Sequence, residues 1–243
     1  MTAINRYLLN LISILKELEK NHQSLEDAAQ IIAKVIEKGG LIHLFGTGHS
    51  HLIAEEMFYR AGGLGAVNPI LEEDLMLHIS ASKSTEFERR ADLADQILQR
   101  QSINSNDVLI LISNSGGNAL VGAIANKVKS KKIPVIAITS LQHANSPLAR
   151  TKGTKLHELA DIVLDNLGAV GDASISFPNS EILTGPTSTV IGTAIINALA
   201  SRTVEILLEN GIEPDVFSSS NTLNGDIKNQ NLVEKLKKQI LIL

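Results

Sequence analysis

Val108-Leu109-Ile110-Leu111-Ile112-Ser113-Asn114-Ser115-Gly116-Gly117 decides how the rest of the chain is read. Five consecutive branched apolar residues are too few for a helix and too continuous for a strand with one wet face. Such a run fits a parallel strand buried on both sides. It ends abruptly in small polar residues and two glycines, and Ala119 to Lys129 then carries apolar residues at helical spacing. Strand, tight turn and helix in that order form the first half of a βαβ unit.

The same rhythm repeats on both sides. Upstream, Leu41 to Phe45 is a short apolar run ending in Gly46-Thr47-Gly48-His49-Ser50, with a helix expected to about Ala61. Ala66 to Leu71 reads as a strand that Pro69 keeps short or at an edge. Residues 72–85 have no clear pattern, and Glu86 to Gln101 reads as one helix. Downstream, Val135 to Ile138 ends in Thr139-Ser140, and Ile162 to Leu164 ends in Asp165-Asn166. Residues 167–185 read as irregular. A long apolar helix is expected from Pro186 or Thr187 to Leu208, followed by a polar loop over 218–231 and a short last helix carrying Leu232, Leu236 and Ile240. The first forty residues read as two amphipathic helices, the second capped by Ser24 with Asp27 three residues on. The expected organisation is one domain over residues 1–243, with N-terminal helices at 1–38, a core at 40–210, and a C-terminal loop and helix at 211–243. Repeated βαβ units with right-handed crossovers give an α/β fold, here a five-stranded parallel sheet in the order 2-1-3-4-5.

Composition narrows the function classes. Of 243 residues, 44% are apolar and only 3% aromatic, so Leu, Ile, Val and Ala must build the core. The net charge is −4 and no basic run occurs, which argues against a nucleic-acid partner. The absence of cysteine excludes disulfides, thiolate metal sites and Cys nucleophiles. Residues 1–20 carry Arg6, Lys16, Glu17 and Glu19 and lack the pattern of a signal peptide. No membrane span is expected, and the expected compartment is the cytoplasm.

Parallel sheets take their ligands at the carboxyl ends of the strands. Three hydroxyl-bearing turns occupy those ends here: 46–50, 113–117 and 139–140. A turn that opens a helix offers unpaired N–H groups and a partial positive charge, which suit an anion. Serine and threonine hydroxyls donate to phosphate oxygens without adding charge. A nicotinamide dinucleotide is the weaker reading, because Gly46 and Gly48 begin G-x-G-x-x-G but His51 stands at its third glycine.

Gly-Thr-Gly-His-Ser at 46–50, Ser-Asn-Ser-Gly at 113–116 and Ala-Asp-Ile-Val-Leu at 160–164 together resemble the SIS, or sugar isomerase, domain over roughly residues 25–210. Within that family the chain is similar to a bacterial phosphoheptose-isomerase-like group, by Ala61-Gly62-Gly63-Leu64, Asn68-Pro69-Ile70-Leu71 and Gly185-Pro186-Thr187-Ser188-Thr189. The resemblance implies a flavodoxin-like fold, a homodimer or homotetramer, and a phosphorylated sugar as ligand. It implies phosphate contacts from Ser50, Ser113 and Ser115, with Asn118 where many members have Ser or Thr. The full expected phosphosugar set is Gly46, Gly48, Ser50, Ser113, Asn114, Ser115, Gly116, Asn118, Ser140, Thr187 and Ser188.

The expected chemistry is aldose–ketose isomerisation. An amino-sugar-phosphate lyase or etherase and a non-catalytic phosphosugar sensor are the alternatives. Isomerisation needs a base at the reacting carbons, usually Glu or His. Several relatives place a Glu where this chain has Arg60, and Glu55 and Glu56 fall off the apolar stripe of their helix. The candidate catalytic residues are therefore His49 within the first turn, His51 beside it, and Glu73 after the second strand; His78 and His143 lie in loops near strand ends. No His-x-x-x-His pair suggests a metal, and no cofactor is expected.

Overall fold

The computed structural model describes residues 1–150 and 154–243. Two helices, α1 (Ala3–Lys20) and α2 (Gln23–Glu37), precede the sheet. Then follow β1 (Ile42–Gly46), α3 (His51–Met57), β2 (Val67–Pro69), α4 (Leu77–Phe87), α5 (Leu93–Gln99), β3 (Val108–Ile112), α6 (Ala119–Ser130) and β4 (Val135–Thr139). The chain continues through the one-turn helices α7 (Leu141–Ala144) and α8 (Leu156–Leu159), then β5 (Ile162–Asp165). It closes with β6 (Ala173–Ser176), β7 (Leu183–Pro186), α9 (Ser188–Glu209) and α10 (Gly225–Leu236).

β1 to β5 form one parallel sheet in the order β2-β1-β3-β4-β5, the doubly wound arrangement of flavodoxin-like folds. The run at 108–112 shows why both its faces must be apolar. Val108, Ile110 and Ile112 join one cluster with α2, α3 and α9, while Leu109 and Leu111 join another with α5, α6 and α8. Successive side chains of a strand point to opposite faces, so a strand between two helical layers has no wet side. α9 is as apolar over 22 residues as a bilayer span requires. That departs from the sequence expectation, but Ile191, Ile195, Ile196, Leu199, Ile206 and Leu207 are buried in the first cluster. Gly192 lets α3 approach α9 closely, because a Cβ there would overlap Ile53 Cδ1.

Five elements depart from the sequence reading. α2 begins at Gln23, with His22 at the cap position and no side-chain cap; Asp27 accepts from Gln23 Nε2 at 2.9 Å rather than serving a box with Ser24. α3 stops at Met57, not Ala61, because Phe58 turns extended and Gly62 and Gly63 bond with the backbone of Phe217. The helix expected over 86–101 is broken, and residues 88–92 lie outside α4 and α5. Tertiary bonds hold this break: the Glu88 carbonyl accepts from Leu120 N at 3.2 Å. Residues 173–186, expected to be irregular, contain an antiparallel hairpin with Ala173 opposite Pro186. It leans on α1, where Arg6 donates to the Ser176 carbonyl and the Tyr7 hydroxyl to that of Pro186, both at 2.7 Å. Finally, the polar stretch before Leu232 is already helical from Gly225, because Leu232 and Leu236 pack on Phe217 and Leu41.

At the opposite end of the sheet from the turns lies a buried polar network. His43 in β1 meets the Asp107 carboxylate through Nε2 at 3.1 Å and the Asn68 amide through Nδ1 at 2.8 Å. Asp107 also accepts from the backbone of Leu41 and Asn104. Burial pushes the Asp107 carboxyl up, but these hydrogen bonds outweigh it and hold it below the ordinary carboxylate value.

Candidate functional site

The turns after β1 and β3 meet in a cleft of about 830 Å³. They meet because β1 and β3 are sheet neighbours in register from Ile42–Val108 to Gly46–Ile112. Two glycines fix the geometry. Gly48 has φ +54, and Gly116 has φ +63, where a Cβ would come within 3.0 Å of Thr139 Oγ1. The turn at 113–117 therefore stays tight and leaves the first turn of α6 open to the cleft.

Of the residues expected from sequence, Ser50, Ser113, Asn114, Ser115 and Asn118 line the cleft. The Ser113 hydroxyl has no hydrogen-bond partner among the described residues, and that of Ser115 accepts only a 3.4 Å contact from Gly117 N. Asn118 caps α6 by accepting from Val121 N at 3.1 Å. Its amide also donates to Thr47 Oγ1 at 2.9 Å and to Glu88 Oε2 at 3.2 Å. Gly46, Gly48 and Gly116 shape the turns without lining the cleft.

The other expected residues are engaged elsewhere. Ser140 is fully buried; its hydroxyl donates to the Gly168 carbonyl at 2.5 Å and accepts from His143 N at 3.0 Å. Thr187 and Ser188 open α9 but turn to Asp172, whose carboxylate accepts from both backbone N–H groups and, at 2.6 Å, from the Ser188 hydroxyl. His49 is exposed and His51 buried, its Nδ1 on the Gly48 carbonyl; neither lines the cleft. Glu73 is exposed on a short turn away from it. Arg60 pairs with Glu56 outside the cleft.

The titratable groups that do line the cleft include Glu88 and His143. Glu88 projects from the break between α4 and α5, one carboxylate oxygen held by the Thr47 hydroxyl at 3.0 Å and by Asn118. Its other oxygen has no partner among the described residues. His143, from α7, lies on the opposite lip with Asp172. Burial and the Lys155 charge lower its pKa against the opposing pull of Asp172, so the ring is neutral at pH 7. The Gly171 N–H faces its Nδ1 at 3.4 Å. The sequence signal for Glu88 is masked by helical periodicity on both sides. That for His143 was a polar residue just past a strand end, which position alone does not rank above His49. Among the described residues no three His, Asp or Glu side chains gather to hold a metal ion.

A family model described as SIS domain matches residues 6–140. The chain is 42% identical over 242 residues to a UPF0309 protein of Geobacillus thermodenitrificans, covering 99% of this chain and 97% of the relative. It is 43% identical over 227 residues to one of Halalkalibacterium halodurans, covering 93% and 91%. Among solved structures, a phosphoheptose isomerase from Francisella tularensis superposes with a TM-score of 0.54 at 18% identity, covering 84% of this chain and all of that one. The Vibrio vulnificus NanR protein complexed with ManNAc-6P gives a TM-score of 0.54 at 15% identity, over 98% of this chain and 70% of that one. A phosphoheptose isomerase from Neisseria gonorrhoeae gives 0.51 at 17% identity, over 83% and 97%. At such identities these structures speak for the fold, while the sequence matches decide the family: the chain belongs to the SIS domain family.

Proposed function

We propose that the cleft binds a phosphorylated sugar by its phosphate and interconverts its aldose and ketose forms. The phosphate sits against the hydroxyls of Ser50, Ser113 and Ser115 at the N-terminus of α6, where backbone N–H groups and the helix dipole favour an anion. That one of the distant structural relatives is complexed with ManNAc-6P agrees with this ligand class.

The observation that carries the catalytic reading is Glu88: a carboxylate inside the cleft, next to the phosphate turn, with one oxygen anchored and the other free. In the forward step its free oxygen takes the proton from the carbon beside the carbonyl, and the electron pair forms the enediol double bond. The proton then returns to the neighbouring carbon, while one hydroxyl proton passes to the oxygen that was the carbonyl. His143, neutral and across the cleft, is placed to shuttle that hydroxyl proton. The five exposed apolar side chains Ile4, Leu8, Leu9, Ile12 and Leu15 of α1 support an oligomer, in which that face would be covered.

The test is a panel of sugar 6-phosphates followed by NMR for both binding and turnover. Ser115→Ala removes a charge-assisted hydrogen bond worth about 1.5–3 kcal/mol, so affinity should fall about 10- to 150-fold with the fold intact. A Ser113→Ala/Ser115→Ala variant that binds as tightly as wild type would place the anion elsewhere and end the proposal.

A further inference from the structure

We infer that the physiological ligand carries a second anionic group, a carboxylate or another phosphate, bound by Arg89 and Arg150. The inference rests on the phosphosugar reading above and adds a substrate class to it.

The first observation is the state of the arginines. Arg60, Arg90, Arg100 and Arg202 each contact a carboxylate, and Arg6 donates to the Ser176 carbonyl. The guanidinium groups of Arg89 and Arg150 have neither an ion pair nor a hydrogen bond among the described residues, and both residues line the cleft. In a chain with a surplus of acidic residues, two guanidinium groups without carboxylate partners in one cavity mark a place built for negative charge.

The second observation is the length of the cleft. It does not end at the reacting carboxylate. Glu88 is bonded to Asn118, the cap of α6, so the reacting carbons sit over the start of that helix. The cleft continues past them over Gly122, Ala123 and Asn126, about 12 Å of helix from Asn118. Gly122 lies in mid-helix, where glycine is costly, and a Cβ there would meet nothing within 4 Å. The small residue therefore serves the open floor rather than close packing.

Third, the two arginines come from opposite walls. Arg89 follows Glu88 in the link to α5, and that link is bonded to α6 through the Glu88 carbonyl and Leu120 N. Arg150 belongs to the segment before α8, which is bonded to the phosphate turn through Leu156 N and the Gly116 carbonyl. The phosphate already has the neutral hydroxyls and backbone N–H groups of the 113–117 turn. Planar guanidinium groups on two walls match the oxygens of a further carboxylate or phosphate.

Calorimetry with glucose 6-phosphate, glucose 1,6-bisphosphate and 6-phosphogluconate tests this on the whole protein. Wild type should bind at least one of the two doubly anionic ligands about tenfold or more tightly than the monophosphate, the value of one charge-assisted hydrogen bond. Which of the two wins separates a phosphate from a carboxylate. Arg89→Gln/Arg150→Gln should bring the three affinities level and leave the monophosphate where it was. Gly122→Leu, which fills the floor without touching the arginines, should weaken the favoured ligand selectively. Equal binding of all three ligands by wild type overturns the inference. So does an arginine variant that loses the monophosphate as much as the others, because the arginines then serve the single phosphate. If no ligand binds, or Ser115→Ala leaves monophosphate affinity unchanged, the phosphosugar reading itself fails and this inference with it.

Discussion

Replacing Glu88 with Gln is the sharpest probe of the catalytic reading, because one carboxylate oxygen carries the structural contacts and the other is the proposed base. Its Oε2 accepts from the Thr47 hydroxyl at 3.0 Å and from the Asn118 amide at 3.2 Å, and Oε1 has no partner among the described residues. A glutamine keeps one acceptor oxygen for Thr47 and Asn118, with the same length and nearly the same shape. Stability should therefore change by no more than about 0.5–1 kcal/mol, the scale of a single hydrogen bond disturbed rather than lost. The free oxygen becomes an amide NH₂, which cannot take a proton. General-base catalysis is worth roughly 10²- to 10⁴-fold, or about 3–5 kcal/mol of barrier at 1.36 kcal/mol per decade. Turnover of a sugar phosphate should fall by that factor, while its dissociation constant changes little. The assay is NMR in deuterium oxide, where isomerisation through an enediol washes solvent deuterium into the carbon beside the carbonyl. Glu88→Gln with undiminished exchange would remove Glu88 as the base. Loss of binding with unchanged exchange at saturation would make it a binding group instead.

Further outcomes follow from Asp107 and His143. Asp107→Ala would leave the Leu41 and Asn104 N–H groups and the His43 ring without their acceptor, so urea unfolding should show a loss of about 3–5 kcal/mol; less than about 1 would contradict the network. The folded Asp107 has a depressed pKa, so its contribution is present above the ordinary carboxylate value near 3.9 and is lost as pH falls through the folded value; Asp107→Asn should abolish that part of the acid dependence in thermal melts. His143 is also depressed, so the unfolded chain takes up its proton first as pH drops below about 6.5. Stability should fall in that window, and the acid limb of any turnover should lie below about 6.5; His143→Gln should flatten the stability change. A limb at or above that value would dissociate His143 from the reaction.

The parallel sheet and the turns at its strand ends were legible in the residues alone, and the flavodoxin-like strand order agreed with the family resemblance those turns carry. The signals read from the residues are local: a continuous apolar run, a glycine at a forced turn, hydroxyls before a helix. Ser50, Ser113 and Ser115 could be placed at the carboxyl end of the sheet because the strand and helix flanking each turn fix where it lies. The rest depends on contacts between distant residues. Glu88 reaches Thr47 across 41 positions and Asn118 reaches Thr47 across 71. These bonds interrupt a stretch whose own periodicity spells an unbroken helix. Ser188 read as a ligand for phosphate until Asp172, held at φ +66 at the foot of an unforeseen hairpin, took its hydroxyl and the helix end behind it. Periodicity reports which residues turn away from water. It carries no information on which polar groups face one another once the layers close, and at this site that pairing brings Glu88 and His143 to the cleft and leaves His49, His51 and Glu73 outside it.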